Sequence, residues 1–340
     1  MVGATATGWP PPARRRAMSD TTEATRTNEM DTVAVVLPPE MRKGGRRRIG
    51  IVRGRRIIMA VTILPAVLLI AAFLWAPAVQ GIRISFSDWR GLGPIEFIGL
   101  ENYIDAFTGS EFLPALWLTV VYAVLSTAGI MAVATLLAAA VSARVRGAAF
   151  YRVVWFLPGI APIAAAGVFW ATAFQPNIGV VNVILGALGL GSDHAWLAGA
   201  DTALYPTVFV TIWASVGFAF LLLLGAMEQV PVSIYEAARV DGAGTVRRFF
   251  GMTLPMIRPV FVVTMVLEMI WQFNGFTVIW AMTQGGPGFA TSVLPVLVYR
   301  EAFQQLNFGM ASAVAIMGGI ILIAVGMFAM RLSRSKQEEF

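Results

Sequence analysis

The chain has 340 residues, 57% of them hydrophobic and only 13% charged, with a mean hydropathy of +0.73. That is too little polar surface for a water-soluble globule of this size, and it indicates a polytopic membrane protein. The net charge of +6 and pI near 10.1 do not point to nucleic acid, because basic residues that alternate with long apolar runs mark cytoplasmic loops; absent cysteine and a single histidine, His194, exclude disulfides and argue against a metal centre.

Residues 1–56 differ in composition from the rest: Pro10-Pro11-Pro12, a Thr/Glu/Asn-rich stretch and basic clusters ending in Arg53, Arg55 and Arg56. They read as a disordered basic cytoplasmic tail. The first apolar run begins near Ile57, too late for a cleaved secretory signal, so it is expected to stay in the protein. Met18, Met30 and Met41 are alternative starts.

Six apolar stretches reach the ~20 residues that cross a hydrocarbon core of ~30 Å. They lie at about 57–82, 113–141, 150–174, 204–227, 260–282 and 311–330. All are expected to be helices, since lipid leaves irregular backbone unsatisfied. Pro65, Pro77, Pro158, Pro162 and Pro206 are expected to kink or cap helices without ending the spans. The fold class is therefore all-α, with six transmembrane helices over 57–332 and a short tail at 333–340.

Basic residues orient the bundle. Arg144, Arg146 and Arg152 fall between spans two and three, Arg239, Arg247, Arg248 and Arg258 between four and five, and Arg331, Arg334 and Lys336 after span six. These segments are expected inside, and with them both termini. The alternate loops hold only Arg83, Arg90 and Arg300, and the first also carries Asp88, Glu96, Glu101, Asp105 and Glu111. They are expected outside. His194 and Trp196, in the outer segment between spans three and four, either anchor that loop at the membrane interface or touch an external protein.

The loop at 230–257 has more organisation than a connector needs. Ser233-Ile234-Tyr235-Glu236 is a capping-box pattern, Asp241-Gly242 a helix stop, Thr245 a second cap, and Leu254-Pro255 a close to the unit. Ala237 and Ala238 offer low relief, with Arg239, Asp241, Arg247 and Arg248 around them. Such a helix suits a partner's groove, or alternatively the headgroup surface.

Glu236-Ala237-Ala238, then Gly242, then Leu254-Pro255 resembles the EAA signature of permeases from binding-protein-dependent ABC importers, with Met252 where the family usually has isoleucine. Gln229-Val230-Pro231, Asp241-Gly242-Ala243, Phe97-Ile98-Gly99-Leu100-Glu101-Asn102-Tyr103, Phe156-Leu157-Pro158 and Thr283-Gln284-Gly285-Gly286-Pro287 are similar to the carbohydrate branch, which includes the maltose and glycerol-phosphate permeases. The resemblance implies a type I importer permease fold in the cytoplasmic membrane. It implies that Glu236, Ala237, Ala238, Asp241, Gly242, Ala243, Leu254 and Pro255 couple to an ATPase. The implied partners are a dimeric ATP-binding subunit, a second, non-identical EAA-type permease, an extracytoplasmic sugar-binding protein and the lipid bilayer. No cofactor is expected in this chain. Its lysines, Lys43 and Lys336, stand in no phosphate-cradling loop, so ATP and Mg²⁺ belong to the partner ATPase and the chain itself is not expected to be an enzyme.

Span five carries the candidate substrate face. Glu268, Trp271, Gln272 and Gly275 recur at i, i+3, i+4 and i+7, and an ionisable residue at membrane depth favours a pathway role over helix glue. Carboxyl, amide and aromatic groups suit sugar hydroxyls and C–H faces. By place rather than identity, this face and Ser215 and Phe218 beyond Trp213 align with sugar-lining positions of the maltose permease. An acidic group suits a neutral or amino-bearing sugar better than a phosphate ester. Glycerol phosphate as solute, an ion-coupled carrier and a membrane enzyme remain open as alternatives. No clear internal repeat supports the carrier, and no cluster of ionisable groups supports the enzyme.

Overall fold

The computed structural model describes residues 61–142 and 147–334, with side chains through Met327. The tail at 1–56, Arg144, Arg146 and Lys336 lie outside the described residues. By internal contacts the chain divides into Met1–Val67 and Leu68–Phe340. Of the first unit, only helical residues 61–67 are described.

The described residues are built mainly of helices, and among them five are long and apolar enough to cross a membrane, plus one bent pair. In chain order they are α1 (Val61–Ser85), α2 (Glu101–Thr108), α3 (Phe112–Ser142), α4 (Ala148–Phe156), α5 (Ile163–Ala173), α6 (Val180–Ala187), α7 (Leu204–Glu228), α8 (Val232–Val240), α9 (Thr245–Phe273), α10 (Thr277–Thr283), α11 (Leu294–Tyr299) and α12 (Phe308–Arg334). A two-stranded antiparallel pair, Ser87–Asp88 with Glu96–Phe97, follows α1. Residues 68–80 of α1 are exposed throughout, an all-round apolar surface suited to lipid.

Helix α3 is the axis. Its buried positions Phe112, Ala115, Thr119, Tyr122, Ser126, Ile130, Ala134 and Ala138 recur every three or four residues along its whole length. The small ones let α7 approach closely, so that Phe220, Leu223, Leu224 and Met227 pack against Ile130, Ala134 and Ala138. At the other end, Phe112, Ala115 and Ala123 meet Phe273, Leu294, Leu297, Val314 and Met317.

Two spans differ from the sequence expectation. The third is not one kinked helix: α4 runs on as a 3₁₀ turn, Leu157–Ile160, and α5 leaves it at 90°. Pro158 and Pro162 both lack an N–H, so the ladder cannot continue. The Ala161 amide instead closes onto the Pro158 carbonyl at 3.3 Å, and the Ala166 amide opens the next helix on Pro162. Tertiary packing holds the bend, because a Cβ at Gly217 of α7 would lie 2.6 Å from the Trp155 carbonyl oxygen. The fifth span starts earlier and stops sooner than 260–282. Helix α9 begins at Thr245, passes Pro255 through a π turn at Phe249–Thr253, and ends at Phe273. A wider turn is a natural response to the donor Pro255 lacks.

The Phe97 to Tyr103 string ties the end of α1 to α2. The buried Asn102 side-chain amide donates to the Ser85 and Ser87 carbonyls at 3.0 Å each, and the Tyr103 hydroxyl meets Ser85 Oγ at 2.7 Å. Asn102→Leu orphans two buried carbonyls and is expected to cost ~1–3 kcal/mol. A lower thermal unfolding midpoint in detergent is the check.

Candidate functional site

The loop after α7 is set by backbone chemistry. Pro231, with φ −57° and ψ 132°, occupies the N-cap of α8, and no side chain caps that end. The capping box expected of Ser233 and Glu236 is therefore absent. The helix starts at Val232 and leaves Ser233 exposed in its first turn, because proline's fixed φ sets the entry. Thr245 likewise is no cap: Gly244 holds that position, and the Thr245 hydroxyl accepts from Arg248 at 3.2 Å. Leu254-Pro255 does not close the unit either, since both lie within α9.

The glycine stop is present. Gly242 takes φ +75°, its amide donates to the Arg239 carbonyl at 3.1 Å, and the Ala243 amide donates to the Ala238 carbonyl at 2.9 Å. These two bonds form a Schellman closure, with the small Ala243 and Ala238 at the positions that usually touch. Ala238 is 1% exposed, and the Tyr235 hydroxyl reaches Thr253 Oγ1 at 3.0 Å, clamping α8 onto α9. Glu236, Ala237, Arg239, Asp241 and Gly242 are left exposed.

Sequence reasoning missed three residues beside them. Val240, Val246 and Phe250 are exposed apolar side chains on the same loop and helix start. Their lack of polar partners in the motif hid them.

At the same end of the bundle, Arg152 of α4 pairs with Glu228 of α7. Both are over 40% exposed, so the pair contributes little energy.

The second group sits on α9. Glu268 is fully buried; Gln272 Nε2 donates to its Oε2 at 3.0 Å, while Oε1 has no partner among the described residues. Trp271 is not with them. It is 48% exposed and packs edge-on to Phe218 of α7, centroids 5.2 Å apart, with Ser215 half-buried one turn earlier. The expected single face is thus divided into a buried acid–amide pair and an exposed aromatic pair, because Trp271 is rotated about 100° from Gln272 on the helix.

Gly275 lies beyond the end of α9. A Cβ there would be 2.7 Å from the Tyr122 ring, whose hydroxyl bonds Thr211 Oγ1 at 2.5 Å, joining α3 to α7. Gly275→Ala is expected to cost ~1–3 kcal/mol by overpacking. A lower unfolding midpoint, with Tyr122 displaced, is the expected result.

Phe273 is buried packing. Trp196 donates to Asn182 Oδ1 at 3.0 Å and stacks with exposed His194, so it holds the outer loop together.

Residues 133–336 match the family described as "Binding-protein-dependent transport system inner membrane component". A probable ABC transporter permease protein, YurN of Bacillus subtilis (strain 168), is 32% identical over 85% of this chain and 100% of its own length. The sn-glycerol-3-phosphate transport system permease protein UgpA of Salmonella choleraesuis (strain SC-B67) is 34% identical over 79% and 91%. A chain of a bacterial ABC transporter involved in import of the acidic polysaccharide alginate shares the fold, with TM-score 0.74 and 24% identity over 85% of this chain and 99% of that one. The same transporter in complex with an alginate pentasaccharide-bound periplasmic protein gives 0.72. With a family match over more than half its length and these relatives, the chain belongs to the inner-membrane components of binding-protein-dependent transport systems and is an ABC importer permease.

Proposed function

We propose that this chain is one half of a heterodimeric permease that passes a neutral or amino-bearing sugar into the cell, powered by a separate ATPase on α8. One observation carries the reading. The exposed coupling helix is clamped to α9, and α9 runs unbroken from Thr245 to the buried Glu268–Gln272 pair. At 1.5 Å per residue that is a lever of roughly 35 Å. Nucleotide-driven closure of a docked ATPase dimer would displace α8 as a rigid body and transmit the motion to the depth where the solute passes.

ATP and Mg²⁺ then act on the partner, and the chain contributes no hydrolytic group. Arginines at the α8 end favour a cytoplasmic position for that end and for both termini. The opposite end receives a solute-binding protein; a bacterial alginate ABC transporter is likewise found in complex with a periplasmic protein. An unpaired carboxyl oxygen at membrane depth favours solutes that donate hydrogen bonds over phosphate esters. Glycerol phosphate is the second reading, favoured by the likeness to UgpA.

The test is uptake into proteoliposomes holding both permeases and the ATPase, with the binding protein outside. Neutral sugars, glucosamine and glycerol phosphate form the panel. Sugar uptake that requires ATP is expected; uptake surviving omission of the ATPase subunit defeats the importer mechanism, and preference for glycerol phosphate defeats the sugar assignment.

A further inference from the structure

Helix α6 lies at the end of the bundle opposite α8, between the bent pair α4–α5 and the start of α7. Its inner side is fixed. Asn182, the one polar residue of α6, is fully buried: its amide donates to the Gln175 and His194 carbonyls at 2.9 and 3.0 Å, and its Oδ1 accepts from Trp196. Val181 beside it packs against the cluster of Phe174, Val210, Val278 and Met282. With both donors and the acceptor engaged, Asn182 sets the rotation of the helix, and turning it outward would break all of these bonds. The outer side is aliphatic. Val180, Val183 and Ile184 recur at i, i+3 and i+4, and with Ile178 before the helix and Leu188 and Leu190 after it they are 50–76% exposed.

Three features select lipid over protein as the cover for this face. No Asp, Glu, Lys or Arg occurs between Arg152 and Asp193, so α6 extends the uncharged run of the bent span, whose Val168 and Phe169 are likewise exposed. Polar side chains return only where the chain leaves α6: Gln175 and Asn177 before it, Asp193 and His194 after it, all exposed. The composition of the face also differs from that of a docking surface. A protein that binds and leaves meets a surface about as polar as the rest of the exterior, centred on aromatic side chains, Met and Arg, whereas this face offers only Val, Ile and Leu. A helix with its polar side held by the protein and its other side aliphatic suits the headgroup–acyl boundary, where such helices lie in plane with the apolar face ~5–10 Å deep. We propose that α6 is an interfacial helix seated in the outer leaflet, with its Val180, Val183 and Ile184 face in contact with lipid. The choice of leaflet rests on the importer orientation proposed above; the contact with lipid does not.

The chain has no cysteine, so Val183→Cys and Ile184→Cys each give it a single thiol for a fluorescent probe, on the transporter assembled in nanodiscs with cysteine-free partner subunits. Both side chains are exposed, so the fold should tolerate either exchange, and ATP-driven uptake checks this. Both probes should lose most of their emission to lipids brominated near the headgroup, less to lipids brominated at the acyl end, and little to aqueous iodide, whether or not the binding protein is present. A probe on Asp193→Cys is the water-facing control, quenched by iodide and spared by bromolipid. Iodide quenching at positions 183 and 184 overturns the proposal. Protection that appears only with the binding protein makes the face a docking surface, and protection from both quenchers in the permease pair makes it the contact with the second permease; either result overturns the proposal as well. Sidedness is read separately. On spheroplasts an impermeant maleimide should label Asp193→Cys from outside. Labelling only after permeabilisation overturns the outer-leaflet assignment and the importer orientation, while bromolipid quenching decides the lipid contact independently.

Discussion

Glu236→Lys is expected to lower ATP-driven uptake by about a hundredfold or more, while the chain still inserts and pairs with its partner permease. Glu236 is exposed on α8 and forms none of the contacts that shape the loop. Those come from Pro231 at the N-cap, the buried Ala238, the Tyr235 to Thr253 bond and the Gly242 closure, all untouched by the substitution. The fold of the loop is therefore retained. What changes is the charge presented to the docked subunit, where disrupting a desolvated charge contact costs ~2–5 kcal/mol. Uptake and co-purification of the ATPase are the measurements. Wild-type values for both would show that α8 is not the coupling element.

Parts of this site were legible because their chemistry is local. Asp241-Gly242 read as a stop since only a residue tolerant of positive φ closes a helix this way, and Gly242 has φ +75°. The capping box misled for an equally local reason: Pro231 stands two residues before Ser233 and outranks it in fixing the helix start. The third span was less accessible. Pro158 and Pro162 are plain in the sequence, but whether they kink a helix or break it at 90° depends on partners far along the chain. One is Gly217; another is Gly167, where a Cβ would meet Ala281 at 2.6 Å. Helical periodicity brought Glu268 and Gln272 together, as their hydrogen bond shows, but put Trp271 with them when it lies apart against Phe218, and it failed again at Gly275. It assumed that α9 continues, whereas the helix ends at Phe273 to let Gly275 fit against Tyr122.

Glu268→Gln is expected to change relative uptake among neutral sugars, glucosamine and glycerol phosphate by about tenfold, with assembly intact, since the loss of one hydrogen bond is of this size. The Gln272 amide still finds an oxygen at the position of Oε2, so the shape and the internal bond persist. Only the carboxyl character at the unpartnered oxygen is lost. Glu268→Leu removes both, leaves the buried Gln272 amide unsatisfied, and is expected to lower stability by ~1–3 kcal/mol as well. The pair of variants separates two roles that one could not. If Glu268 merely joins helices, Leu is harmful and Gln is silent across the whole panel. If it meets the solute, Gln alters selectivity at unchanged stability. The unpaired Oε1 favours the second outcome, because a carboxyl group kept only to hold Gln272 would have no reason to bury a second acceptor without a partner.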